Sequence, residues 1–180
     1  MIGVHPERVT GDRLAVRWVV PGGSLPAGRV TAAPGRLGGM LREGTLAAGL
    51  VEYGAVWLWL RDGESWTAHG AAVRSALVEA LDDPSGWTIR PAAGEVLHRV
   101  ATDLIDGSLG DFIRSHGGSV GVERLDDDIV AVRLGGACQN CVAADHTLRL
   151  RLLGDLRRRC PDLIETDDGR GGLTMTLGRS

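Results

Sequence analysis

Between Val130 and Leu156 a run of β-branched residues, two glycines, a Cys-x-x-Cys pair and a helical pattern follow one another directly. No other feature constrains the fold as much, because it fixes a strand, a tight loop and a helix in order and hangs two thiols on the loop. Two thiolates at the spacing of Cys138 and Cys141 serve either as one edge of a metal centre or as a redox-active disulfide. Zinc and iron–sulfur sites of the structural kind take four protein ligands. The remaining cysteine is Cys160, so a site shared between two copies of the chain is the arrangement to test.

The elements around this run suggest two small α+β domains. Leu14, Val16, Trp18 and Val20 alternate as a half-buried strand. Residues 36–48 carry a loose helical pattern, and Leu50–Leu60 is β-rich with Trp57 and Trp59 on one side and Val56, Leu58 and Leu60 on the other. Arg61-Asp62-Gly63 reads as a hairpin turn into a short strand near Ser65–Thr67, and Val73, Leu77 and Leu81 mark a helix over 71–81. A second helical stripe, Leu97 to Ile113, is weakened at Gly107 and Gly110 and ends at Gly117-Gly118. Ser119–Leu125 and Ile129–Leu134 form a hairpin around three aspartates. A last helix runs from about Asp145 to Pro161, and Leu173–Leu177 is an edge strand or a tail. The expected division is a domain over 1–88, a linker over 89–96, a domain over 97–166, and a strand or tail over 167–180.

Composition narrows the function classes. The chain has 180 residues, 43% of them hydrophobic, which is enough for packed cores. A net charge of −3 gives no sign of a nucleic-acid partner. The basic residues are all arginine, which fits a GC-rich coding bias. The longest apolar run, Ala55–Leu60, is too short to span a bilayer. Neither a signal peptide nor a disulfide framework is evident, so a cytoplasmic location with reduced thiols is expected. No nucleophile–base arrangement surrounds Ser24, Ser75 or Ser119, so an enzyme is not expected.

The run His116-Gly-Gly-Ser-Val120, the hairpin, Val132-Arg-Leu-Gly-Gly-Ala-Cys138-x-x-Cys141 and a helix ending at Cys160-Pro161 resembles the C-terminal domain of the NifU/Nfu iron–sulfur proteins. The likeness covers about residues 97–165, and residues 10–87 look more weakly like the N-terminal domain often joined to it. The chain departs from the family pattern in three places. Val142 stands where Pro is usual, Ala143-Ala144 replaces a serine pair, and His116 replaces an acidic residue.

The resemblance implies an iron–sulfur cluster, [4Fe–4S] ahead of [2Fe–2S], bound by Cys138 and Cys141 of each of two protomers in a cluster-bridged homodimer. It further implies a scaffold or carrier that receives clusters from assembly donors and passes them to apo iron–sulfur proteins, with neither nucleic acid nor membrane as a partner. Gly135, Gly136 and Ala137 are expected to leave room for backbone approach to the sulfurs. Cys160 is expected to be a small buried residue, and the arginines of the last helix a solvated face. The alternatives are thiol–disulfide exchange and an interaction module that has lost its cluster.

Overall fold

A computed structural model describes residues 3–20, 22, 25–136, 142–166 and 173–178. The chain divides into two compact units, 1–91 and 92–180, and the architecture is α+β in both. No helix among the described residues is long and apolar enough to cross a membrane.

Unit 1 is built on an antiparallel sheet. In chain order its elements are β1 (His5–Arg8), β2 (Ala15–Val19), β3 (Gly28–Ala32), α1 (Gly35–Arg42), β4 (Leu46–Glu52), β5 (Ala55–Leu60), α2 (Trp66–Leu81) and β6 (Thr88–Arg90). The strands lie in the order β1-β2-β5-β4-β3-β6. Because side chains alternate along a strand, Val16 and Trp18 of β2 and Val56, Leu58 and Leu60 of β5 share one face. There they join Leu37 of α1 and Val73, Ala76, Leu77, Ala80 and Leu81 of α2 in one apolar core. The α2 residues recur at helical spacing, which is the signature of a helix lying on a sheet.

The opposite face carries polar chemistry among tryptophans. Trp57 and Trp59 stack with centroids 6.0 Å apart. Glu52, 1% exposed, accepts from Arg17 Nε (2.8 Å) and Nη2 (2.5 Å) and from Trp57 Nε1 (2.8 Å). Arg17 Nη1 also reaches Glu7 at 2.6 Å, so the buried carboxylate and its cation are both well supplied with partners.

The β-rich run Leu50–Leu60 proves to be parts of two strands, joined through Tyr53 and Gly54 with Glu52 opposite Ala55. The segment after Gly63 differs from the hairpin expected there. Ser65 Oγ accepts from the Ala68 N–H at 3.3 Å, and α2 begins at Trp66 rather than at residue 71. A serine capping a helix start satisfies a backbone donor that a short strand would leave for a partner strand. Trp66 is fixed by a 2.9 Å bond from Nε1 to the Leu14 carbonyl and by an edge contact with Trp18.

Residues 88–90 form β6, paired with β3, and Ala93 opens the next helix, so Pro91 and Ala92 alone separate regular elements at this point.

Unit 2 comprises α3 (Ala93–Asp106), α4 (Ser108–Ser115), β7 (Gly118–Arg124), β8 (Val130–Gly136), α5 (Val142–Arg159), β9 (Leu163–Thr166) and β10 (Leu173–Leu177). The single helical stripe expected from 97 to 113 is two helices, broken at Gly107, whose backbone is extended. Gly110 lets α4 fold back onto α3, since a Cβ there would sit 1.8 Å from the Ile105 carbonyl oxygen. Val96, Leu97, Val100, Ala101 and Ile105 of α3, Leu109 and Ile113 of α4, and Leu152, Leu153 and Leu156 of α5 are buried with Val130, Ala131 and Val132 of β8.

The last strand was expected at an edge or as a tail, but β10 is interior. The sheet order is β7-β8-β10-β9, with Met175 opposite both Val130 and Glu165. The edge beyond it is β9, a four-residue strand with one buried position, too short to show a periodic pattern in sequence.

Candidate metal centre

Cys138 and Cys141 lie outside the described residues, and the structure is informative about what flanks them. β8 ends at Gly136 and α5 begins at Val142, so the motif falls between a central strand and a helix start. The helix starts earlier than Asp145, directly after Cys141 in the chain. The first N–H groups of a helix lack intrahelical acceptors and carry partial positive charge, which favours a nearby thiolate.

The glycines on both sides of the hairpin have a definite role. Gly118 pairs with Gly136 and Ser119 with Gly135. Gly136 has φ +64, and a Cβ there would lie 2.7 Å from the Gly117 carbonyl oxygen; a Cβ on Gly135 would meet Ser119 Oγ at 2.6 Å. Gly117, with φ +73, turns the chain out of α4 into β7. At Gly135 and Gly136 the space a side chain would fill is thus taken by the neighbouring strand. The close approach read from these glycines is strand against strand.

The base of α5 is anchored firmly. Cys160 is buried, and its backbone N–H donates to the Leu156 carbonyl at 2.6 Å, in keeping with a packing role. Arg159 pairs with Asp103 of α3 at 2.6 Å, while Arg157 bonds Glu165 and Arg158 bonds Asp155. The three terminal arginines therefore each have a carboxylate partner within unit 2. Arg151 lies over the Phe112 ring, 5.3 Å from its centroid.

His116 closes α4. Its Nδ1 donates to the Phe112 carbonyl at 2.9 Å, Ser115 Oγ donates to the same oxygen at 2.7 Å, and the ring tilts against Phe112 with centroids 4.5 Å apart. The sequence signal for this group was its position before Gly117-Gly118, which suggested no more than a helix end. On α3, burial together with the cations Arg124 and Arg99 pushes the His98 imidazole below its ordinary range. In unit 1 the His69 hydrogen bond (2.7 Å), then Arg61, holds Glu64 below the usual carboxylate range.

Among the described residues no group of three or more His, Cys, Asp or Glu side chains is arranged to hold a metal ion. The thiols of Cys138 and Cys141 would supply half of a four-thiolate site.

The NifU-like domain profile matches residues 102–166, a span that runs from α3 through β9 and contains both cysteines. The Fe/S biogenesis protein NfuA of Teredinibacter turnerae is 46% identical over 57 residues, 31% of this chain and 29% of that protein. The NfuA protein of Xanthomonas oryzae pv. oryzae is 33% identical over 66 residues, 36% of this chain and 33% of that protein. NifU-like protein 2, chloroplastic, of Arabidopsis thaliana is 26% identical over 94 residues, 52% of this chain and 38% of that protein. The chain thus spans about a third of the length of these curated relatives. No solved structure gives a significant match.

Proposed function

From the premise that residues 102–166 are a NifU-like domain and place the chain in the NifU/Nfu type over that part, we propose that the protein carries iron–sulfur clusters. Cys138 and Cys141 of two protomers supply four thiolates to one cluster, [4Fe–4S] ahead of [2Fe–2S], and the cluster is cargo delivered to apo iron–sulfur proteins. The observation that carries this reading is the place of the two cysteines, between β8 and α5 inside the matched segment. The names of the relatives, which speak of Fe/S biogenesis, support it.

Transfer requires no redox change and no substrate turnover. An acceptor thiolate donates its electron pair to iron, the bond from iron to Cys138 or Cys141 breaks, and the released thiolate keeps its pair. The helix start after Cys141 lowers the cost of that thiolate. Thiol–disulfide exchange is less well supported, because the described strands of unit 2 pair antiparallel throughout and lack the parallel βαβ unit of thioredoxin-like sites.

Anaerobic reconstitution with iron and sulfide tests the proposal. The expected product is a brown dimer with one cluster per two chains, and Cys138→Ser or Cys141→Ser abolishes the visible absorption. A colourless monomer, or absorption unchanged by either substitution, sinks the reading.

A further inference from the structure

Phe112 is the one phenylalanine of the chain, and it stands 39% exposed on α4 rather than in the core of unit 2. Two nitrogen-bearing side chains lie against it. The Arg151 guanidinium of α5 sits over its ring, 5.3 Å from the centroid, and the exposed His116 ring tilts against it at 4.5 Å. Because Nδ1 of His116 donates to the Phe112 carbonyl, the neutral ring keeps its lone pair on Nε2.

Arg151 differs from its neighbours. Arg114, Arg124, Arg133, Arg157, Arg158 and Arg159 each have a carboxylate partner within unit 2. Arg151 is exposed and has no carboxylate partner among the described residues; what it touches is the Phe112 ring. A guanidinium resting on an aromatic ring keeps its N–H donors for another group, and a carboxylate fits that planar fork. The ring also orders the guanidinium before anything binds, so less entropy is lost on binding.

Charge identifies the occupant. One open cation beside an exposed ring, in a chain of net charge −3, suits a single carboxylate next to an apolar side chain. A nucleic acid or an anionic membrane calls for a field of cations. The patch also borders the end of β8, since His116 directly precedes Gly117, whose carbonyl oxygen lies against Gly136.

We propose that Arg151 docks a carboxylate side chain from an acidic segment of the acceptor protein. An apolar residue of that segment packs on Phe112, and one of its backbone N–H groups donates to Nε2 of His116. That the partner is an apo-protein acceptor rests on the carrier reading above.

The probe is the end-blocked peptide Gly-Glu-Phe-Glu-Leu-Gly, and its control carries Lys in place of Glu. Titrated into the reduced full-length chain, the Glu peptide shifts the Arg151 Nε–H resonance, assigned through Arg151→Gln, and the His116 ring resonances. Arg151→Gln weakens binding by about tenfold or more, the scale of a lost charge-assisted hydrogen bond. Arg151→Glu reverses the preference and takes the Lys peptide over the Glu peptide. An unmoved Arg151 resonance, an unchanged affinity in Arg151→Gln, or a preference that Arg151→Glu does not reverse each overturns the proposal. So does a single-stranded RNA or a phosphatidylserine vesicle that moves the Arg151 resonance when the peptide does not.

Iron–sulfide reconstitution of the same preparation separates the two readings. A cluster formed by a chain whose Arg151 ignores the peptide removes the docking surface alone. Peptide docking with no cluster formed removes the carrier role alone.

Discussion

The two units divide the chemistry of the chain between them. All five tryptophans and the one tyrosine fall in unit 1, and all three cysteines fall in unit 2, where Phe112 is the one phenylalanine. Unit 1 spends its aromatic residues on shape: its wide sheet has apolar residues on one face and stacked indoles around a buried Glu52–Arg17 pair on the other. Unit 2 has a smaller sheet, and its two glycine pairs meet at one end of one hairpin, next in sequence to the Cys-x-x-Cys pair. The difference gives each unit its own reporter, since all the indoles lie in one and all the thiols in the other. Indole fluorescence reads the first, and thiols read the second.

The largest effect expected from breaking this division is in unit 1. Glu52→Ala leaves the Arg17 guanidinium without its buried partner and Trp57 Nε1 without its acceptor, which costs about 3–5 kcal/mol. The fluorescence-detected denaturant midpoint should fall accordingly, and a midpoint unchanged from wild type would remove the buried pair from the account of stability. Met175→Ala makes the matching cut in unit 2. Met175 is fully buried on the interior strand β10, and its truncation costs about 2–5 kcal/mol. In a Cys138→Ser/Cys141→Ser background the only thiol is the buried Cys160, so its alkylation rate reports opening of unit 2. A rate insensitive to Met175→Ala would show that the last strand is not part of that core.

Gly136→Ala sharpens the comparison at the site. A left-handed backbone costs a side-chain-bearing residue about 1–2 kcal/mol, and the new Cβ also presses on the Gly117 carbonyl. Cys160 should react faster, with the fluorescence midpoint of unit 1 unmoved; an unchanged alkylation rate would show that the strand end tolerates the methyl group.

The smallest effect is pH dependence. The folded pKa of His98 is depressed below 6.5, so the unfolded chain takes up its proton first. Stability of unit 2 is therefore full above about 6.5 and declines as pH falls from there toward the folded value, and His98→Asn flattens the decline. Glu64 in unit 1 is also depressed, from 4.5, so its contribution is present above that value and is lost as pH falls through the lower folded value. A pH profile of Cys160 alkylation that His98→Asn leaves unchanged below 6.5 would remove His98 as its cause.

Much of the fold could be read from local pattern. The alternation of β2, the stripe of α2, the hairpin β7–β8 around its aspartates and the helix after the cysteines all appear in the places periodicity marks, although α2 and α5 begin earlier than their stripes. The departures have particular causes. Ser65 turned an expected strand into a helix start through one side-chain hydrogen bond. Gly107 split one stripe into two helices, and Gly110 allowed the second to fold back on the first. β1, β3, β6 and β9 are short or largely exposed, so they carry little periodic signal and exist because a longer neighbour supplies hydrogen bonds. At the candidate site, the thiol pair is named from its spacing and lies outside the described residues, while the hydrogen bonding of the His116 ring had no signal in the sequence.

Local chain order sets the reactive groups and the elements next to them: two thiols between a strand and a helix, and glycines where the backbone must turn. Those depend on neighbours a few residues apart, and covalent order enforces them. Packing makes Leu173–Leu177 an interior strand, buries Glu52 with Arg17 and Trp57, and lays Gly117 against Gly136 with His116 beside it. Each of these joins residues distant in the chain, and their meeting depends on packing of whole elements, which no local pattern encodes.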